Sequence, residues 1–138
     1  MSDIQAELLP FGSSEIEKVK ALYAEEGWIA YLRDDEKLVR ALDNSLLLLG
    51  VYEGGGLLGF IRCVGDGEHI VLIQDLMVKK SERRRGIGTL LMNAAMERFQ
   101  GVRMRCLITD TADETANAFY KALGFKPLSE GGMTAYFK

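Results

Sequence analysis

The stretch Arg83-Arg84-Arg85-Gly86-Ile87-Gly88-Thr89 follows an apolar run over residues 70–78 and precedes apolar residues at helical spacing over 90–99. Strand, glycine loop and helix in that order present main-chain N–H groups and a helix N-terminus to an anion, and Gly86 and Gly88 let the anion approach the backbone. The adjacent arginines supply charge and forked donors that match phosphate oxygens, so a pyrophosphate fits better than a lone carboxylate. Two familiar phosphate loops match poorly. A P-loop needs Lys and then Ser or Thr after its last glycine, whereas Thr89 and Leu90 follow Gly88; a dinucleotide fingerprint needs a third small residue where Leu91 stands.

Upstream of the loop the chain reads as strands. Apolar runs at 46–52, 57–64 and 68–78 are separated by Glu53-Gly54-Gly55-Gly56 and Gly65-Asp66-Gly67, and turns this short predict an antiparallel meander. Before it, residues 4–9 read as a short first strand ended by Pro10 and Gly12. Ser14 and Glu17 form a capping box for a helix carrying Ile16, Val19, Leu22 and Tyr23, and Asp34 or Asp35 caps a second with Leu38, Val39, Ala41 and Leu42 as its buried stripe. Downstream, helical spacing over 90–99 gives way to a strand at 102–109, a helix over about 113–123, and closing strands at 125–128 and 133–137. A helical crossover makes the strands ending at Val78 and Thr109 parallel neighbours. No repeat, low-complexity tract or linker interrupts the pattern, so one domain over residues 1–138 is expected.

The last helix carries a second motif, Asn117-Ala118-Phe119-Tyr120-Lys121-Ala122-Leu123-Gly124-Phe125. Together with Arg83-x-x-Gly86-x-Gly88 it resembles the GNAT family of N-acetyltransferases, whose coenzyme A pyrophosphate loop and Phe-Tyr-x-x-x-Gly-Phe helix these stretches look like. The resemblance implies an α/β (α+β) single-domain GNAT-like fold with a mixed central sheet of about six or seven strands, about four flanking helices, and a splay between the two parallel central strands. It implies acetyl-CoA as co-substrate. The loop residues Arg83, Arg84, Arg85, Gly86, Ile87, Gly88 and Thr89 would hold the pyrophosphate, and main-chain groups at Leu76, Met77 and Val78 would meet the pantetheine arm, with the Val78 N–H toward the developing oxyanion. Asn117 and Tyr120, one helical turn apart, would share the thioester end, Tyr120 acting as general acid toward the leaving thiolate.

Gln74 stands where several relatives carry a Glu base. Glutamine cannot take a proton, so either a water chain ordered by Gln74 deprotonates the ammonium or the amine arrives neutral. Asp75 is adjacent, but in a regular strand it points to the opposite face unless a bulge re-aims it. In the first two helices Trp28 and Tyr31 either stack an arylalkylamine acceptor or pack the helix corner, and Asp34-Asp35-Glu36 either hold a cation or cap the next helix. Short matches at Ala41-Leu42-x-Asn44-Ser45, Asp66-Gly67, Gln74-Asp75-x-x-Val78 and Leu123-Gly124-Phe125-x-Pro127 are similar to the branch containing plant serotonin N-acetyltransferases. The resemblance points to a small-molecule amine acceptor; a protein or peptide N-acetyltransferase and a non-catalytic acyl-CoA sensor are the alternatives.

Composition narrows the field further. The net charge of −3 argues against general nucleic-acid binding, while five cations against Glu82 give residues 79–85 a local charge of +4 that suits a small polyanion. One histidine and two cysteines, Cys63 and Cys106, both in strand patterns, argue against a metal centre or disulfide framework. No apolar run reaches the ~20 residues that span a bilayer and no signal-peptide pattern opens the chain, so the expectation is a cytoplasmic monomer or homodimer that does not insert in a membrane.

Overall fold

Gly54 and Gly55, at φ 58° and 80°, occupy the left-handed region that a tight hairpin between strands demands, and they turn β2 (Leu47–Glu53) back into β3 (Gly56–Gly65). The next turn is closed by a side chain. Asp66 Oδ1 accepts the N–H groups of Glu68, His69 and Ile70 at 2.8, 2.8 and 3.0 Å, which launches β4 (Ile70–Val78) antiparallel to β3. β1 (Ala6–Leu8) pairs antiparallel with β2 on one edge, and β5 (Met104–Leu107) pairs parallel with β4 on the other. The mixed sheet has the order β1-β2-β3-β4-β5.

The computed structural model describes residues 4–9 and 13–138, and of Ser13 and Ser14 the backbone alone. The expected strand stop at Pro10 and Gly12 and the capping hydroxyl of Ser14 lie outside the described residues. Two compact units make up the chain, one through Leu107 and one from Ile108 to Lys138.

In the first unit α1 (Ser13–Glu26) and α2 (Asp35–Asp43) lie on one face of the sheet and α3 (Ile87–Arg98) on the other. Asp34 caps α2 by accepting the Lys37 N–H at 3.1 Å. Successive residues of β3 show the two faces, since strand side chains alternate. Phe60, fully buried, joins Val19, Leu22, Tyr23, Leu38, Leu42, Leu48 and Met77 in the core under α1 and α2. Gly59 faces the other way: a Cβ there would meet the Met77 carbonyl oxygen at 2.8 Å and Ile87 Cγ2 at 3.0 Å, so the close seating of α3 requires glycine. Ile87, Leu91, Met92 and Ala95 supply the buried stripe of α3.

The second unit contains α4 (Glu114–Ala122) and a 3-10 turn at Leu128–Gly131. Here the expectation of closing strands needs correction: the described residues form five strands, and neither 125–128 nor 133–137 joins the sheet. Pro127 has no N–H for a ladder, and Gly132 at φ 75° breaks the extended course between the two apolar runs. No described helix is long and apolar enough to cross a membrane.

Candidate active site

The glycine loop owes its form to two left-handed residues. Arg84 at φ 73° is the one non-glycine residue at positive φ among those described, and Gly86 at φ 79° is the N-cap of α3. A left-handed arginine costs about 1 kcal/mol or more, and such outliers gather where function holds the backbone. No side chain caps α3, so the N–H groups of its first turn, at Ile87, Gly88 and Thr89, have no capping acceptor.

The arginines are not equivalent. Arg83 donates to Glu26 Oε1 at 2.6 Å, and Arg85 grips both Glu53 oxygens at 3.1 and 3.0 Å while also donating to Glu82 at 2.7 Å. Arg84 alone of the trio has no ion-pair or hydrogen-bond partner among the described residues. Glu25 accepts the Lys80 N–H at 2.8 Å, so the acidic end of α1 and the β2–β3 hairpin together brace the loop.

Beside the loop, β4 presents an open edge. The Lys79 N–H donates to the Leu58 carbonyl at 2.7 Å, which sets the hydrogen-bonded pairs at Lys79, Met77 and Asp75 and turns the main-chain groups of Leu76 and Val78 away from β3. On that side β5 reaches only to Leu107, opposite Ile73, and no described strand pairs with β4 beyond it. The parallel strands therefore part at Gln74.

A bulge falls at the same residue. Arg62 pairs with Asp75 and Cys63 with Ile73, leaving Gln74 as the extra residue of β4. Asp75 shares the α1 face with Met77 by ordinary strand alternation, and the bulge lets Gln74 reach the same hydroxyl as Asp75 does. Tyr31 donates to Asp75 Oδ1 at 3.0 Å, and Gln74 Nε2 donates to the Tyr31 hydroxyl at 3.5 Å. Asp75, 2% exposed, is further held by Arg62 Nε at 2.7 Å and the Tyr23 hydroxyl at 2.9 Å. Arg62 also donates to Ser45 Oγ at 3.3 Å, and Ser45 donates to the Ala41 carbonyl at 2.8 Å. Burial works against the Arg62 charge, but the hydrogen bond and attraction of Asp75 outweigh it and raise its pKa. Burial, with the charge of Asp75 behind it, pushes the Tyr23 hydroxyl far above its ordinary value. Tyr23 stacks on Tyr31 at 4.0 Å between centroids, and Trp28, tilted 43° to Tyr31 at 6.4 Å, stays 39% exposed. Tyr31 thus packs the corner after α1, one of the two roles that the sequence left open, and also touches the polar cluster.

In the second unit Asp113 caps α4, accepting the Ala116 N–H at 3.0 Å. Asn117 Nδ2 donates to the carbonyls of Asp110 and Asp113 at 2.9 and 2.7 Å, which leaves its Oδ1 as a free acceptor among the described residues. Tyr120, one turn on, is edge-to-face with Phe119 and Phe125 at 5.2 and 6.2 Å. Its hydroxyl has no partner among the described residues. Burial raises its pKa, helped by the Asp113 charge, so it is a protonated donor at neutral pH.

Three residues of the polar cluster, Arg62, Tyr23 and Ser45, carry no site signal in the sequence. Arg62 is the one that patterning could have marked, as a cation inside the run Leu57 to Val64. Burial pushes the Cys63 thiol up to about 12 and the Cys106 thiol up as well, so both are neutral. No group of metal-ligating side chains occurs among the described residues.

Comparison with known proteins agrees across sequence and structure. The model of the acetyltransferase (GNAT) family matches residues 12–125. An uncharacterized ycf52-like N-acetyltransferase of Prochlorococcus marinus is 27% identical over 124 residues, 87% of this chain and 67% of that protein. The solved structure of a GNAT-family acetyltransferase from Streptococcus pneumoniae superposes with a TM-score of 0.82 at 33% identity, covering 99% of this chain and 96% of that one. PaiA N-acetyltransferase from Thermoplasma acidophilum, solved in complex with coenzyme A, shares the fold at a TM-score of 0.71 and 21% identity, with 91% of each chain covered.

Proposed function

We propose, from the premise that the chain belongs to the GNAT acetyltransferase family, that it transfers acetyl from acetyl-CoA directly to a primary amine of a small molecule. The family match runs across both compact units, which supports their acting as one catalytic domain. The observation that carries the proposal is the uncapped N-terminus of α3 beside the open edge of β4. The first takes a pyrophosphate on the N–H groups of Ile87, Gly88 and Thr89, with Arg84 the cation at hand. The second takes an extended pantetheine arm on the main-chain groups of Leu76 and Val78, much as a sheet edge takes an added strand, with Met77 between them pointing its side chain into the core.

In the reaction the neutral amine attacks the thioester carbonyl to form a C–N bond, and the Val78 N–H stabilises the oxyanion of the tetrahedral intermediate. Collapse breaks the C–S bond, and the Tyr120 hydroxyl gives its proton to sulfur. The ammonium proton leaves through water, since Gln74 cannot accept it and both oxygens of Asp75 are occupied by Arg62, Tyr23 and Tyr31. Asp75 instead positions Tyr31. With its proton committed to Asp75, the Tyr31 oxygen offers lone pairs to an amine N–H, and the exposed face of Trp28 beside it favours an aromatic amine.

Thiol release from acetyl-CoA across an amine panel tests the proposal. Tryptamine and phenylethylamine should be turned over faster than spermidine or a lysine peptide. Tight acetyl-CoA binding with no release for any amine would make the chain a coenzyme sensor, and a peptide preferred over every small amine would make it a protein acetyltransferase.

A further inference from the structure

Arg62 is a cation set inside the sheet. It stands on β3 between Leu48 of β2 and Asp75 of β4, is 7% exposed, and has Asp75 as its one ion-pair partner among the described residues, at 2.7 Å. Asp75 has no second cation within ion-pair distance among those residues. Tyr23 and Tyr31 bring it hydroxyl donors, and the neighbouring Gln74 is an uncharged amide. Apolar residues of similar volume often stabilise a fold as well as a buried ion pair does, so stability alone does not account for this one.

What the pair controls is a proton. A phenol oxygen carries one proton and two lone pairs, and an ionised carboxylate can only accept. Tyr31 gives its proton to Asp75 Oδ1 at 3.0 Å, so its lone pairs face away from Asp75, where Gln74 Nε2 meets the oxygen at 3.5 Å. The ring is held in place by its stack on Tyr23 and by the Arg62 guanidinium, 6.0 Å from its centroid. Without the cation, burial favours the neutral acid at Asp75. A protonated Asp75 donates a hydrogen bond of its own, and Tyr31 is then released to turn its proton outward. An outward proton binds the lone pair of an incoming amine, the same pair that has to attack the thioester.

We propose that Arg62 is a positioning residue for the acceptor: by keeping Asp75 a carboxylate it fixes the Tyr31 proton inward, so that Tyr31 takes an amine N–H and leaves the amine lone pair free to attack. The role rests on the amine contact of Tyr31 proposed above. Ser45 completes the device from the far side, accepting from Arg62 Nη1 at 3.3 Å while donating to the Ala41 carbonyl at 2.8 Å, which ties the guanidinium to the end of α2.

Calorimetric titration of tryptamine into the full chain saturated with coenzyme A is the test, with circular dichroism and coenzyme A affinity followed alongside. Arg62→Gln places its Nε2 at the chain position of the Arg62 Nε, so it keeps a donor for Asp75 and deletes the charge. Its tryptamine affinity should fall at least ~10-fold near neutral pH. Expressed as a ratio to the parent at each pH, which cancels the titration of the amine, the loss should shrink from about pH 6 to about pH 9 as Asp75 ionises. Arg62→Lys keeps the charge and should bind within about threefold of the parent. Tyr31→Phe should lose affinity too, and Arg62→Gln should cost nothing further in that background. An Arg62→Gln loss that is absent, equal at every pH or additive with Tyr31→Phe would overturn the proposal. So would an Arg62→Lys variant that binds coenzyme A normally and loses tryptamine, a result that stands even where Arg62→Gln does not fold. If Tyr31→Phe binds tryptamine as the parent does, the amine contact itself is wrong, and the role of Arg62 falls with it.

Discussion

The two compact units solve the problem of burial in different ways. Every buried residue precedes Ile108: Tyr23, Phe60, Ile61, Met77, Ile87, Leu91 and Met92 are closed off almost completely by the sheet and the helices on its two faces. From Ile108 to Lys138 no residue is buried, though Phe119, Tyr120, Leu123 and Phe125 are as apolar as the core of the first unit. What holds the second unit is local and polar. Asp113 caps α4, Asn117 ties back to Asp110, and the Phe125 N–H returns to the Tyr120 carbonyl at 3.0 Å. Packing, which scales with buried area, lets the first unit hold the glycine loop in a strained form. The second unit keeps apolar and hydroxyl groups accessible.

The largest expected effect of that contrast is on stability. Phe60→Ala should cost about 3–5 kcal/mol, since it empties a fully enclosed site. Phe125→Ala should cost only about 1 kcal/mol, the order of one aromatic pair with Tyr120. Denaturant unfolding of both variants measures the difference, and equal losses would erase the distinction between the units.

A second pair sharpens the assignment of the loop to the first unit. Gly86→Ala and Gly86→Glu share the cost of a side chain at φ 79°, about 1–2 kcal/mol of stability, and the Cβ that both add meets no atom within 4 Å. Only the glutamate adds negative charge before the α3 N-terminus. Calorimetry should find acetyl-CoA affinity nearly unchanged in the first and weakened at least ~10-fold in the second, with the loss shrinking in high salt. Equal affinities would remove the loop from the coenzyme site.

The smallest effect concerns a turn of the first unit. Three backbone N–H groups, those of Ile70, Glu68 and His69, pull the Asp66 carboxyl from 3.8 down to about 2. A depressed folded pKa stabilises the protein above the unfolded value and ceases to as pH falls through the folded one. The stability advantage of the parent over Asp66→Asn should therefore be constant above pH 3.8 and fade toward pH 2. Chemical unfolding across that range checks it, and a gap independent of pH would mean the carboxylate charge contributes nothing.

Much of the first unit is legible from local chemistry. The glycine pairs announce the β2–β3 turn, Asp66 the next, Asp34 the start of α2, and the Arg83-x-x-Gly86-x-Gly88 pattern the loop before α3. The polar cluster is not legible, because it joins residues far apart in sequence and takes in Gln74 through a bulge. Asp75 faces Arg62 in unbroken register with Met77 and Phe60, and the slip just beyond that pair lets Gln74 reach the hydroxyl that Asp75 holds, which periodicity alone cannot show. Likewise the pairing of Arg83 with Glu26 and of Arg85 with Glu53 joins residues far apart in sequence, so three adjacent arginines read as equals until the fold separates them. The second unit misleads in the opposite sense: 125–128 and 133–137 carry strand patterns, and a strand pattern needs an edge to pair with before it becomes a strand.

The central claim is a division of labour, in which the first unit holds the coenzyme and Tyr120 of the second acts on the chemical step. Tyr120→Phe keeps the ring contacts with Phe119 and Phe125 and deletes the one hydroxyl. Turnover of tryptamine and the acetyl-CoA dissociation constant, measured on both proteins across pH, test it most directly. The variant should bind acetyl-CoA as the parent does and turn over ~100-fold more slowly. The acid limb should follow the free amine and shift with its pKa, while an alkaline limb should belong to the parent alone. Equal turnover at saturating substrates would contradict the claim and leave the sulfur to take its proton from solvent.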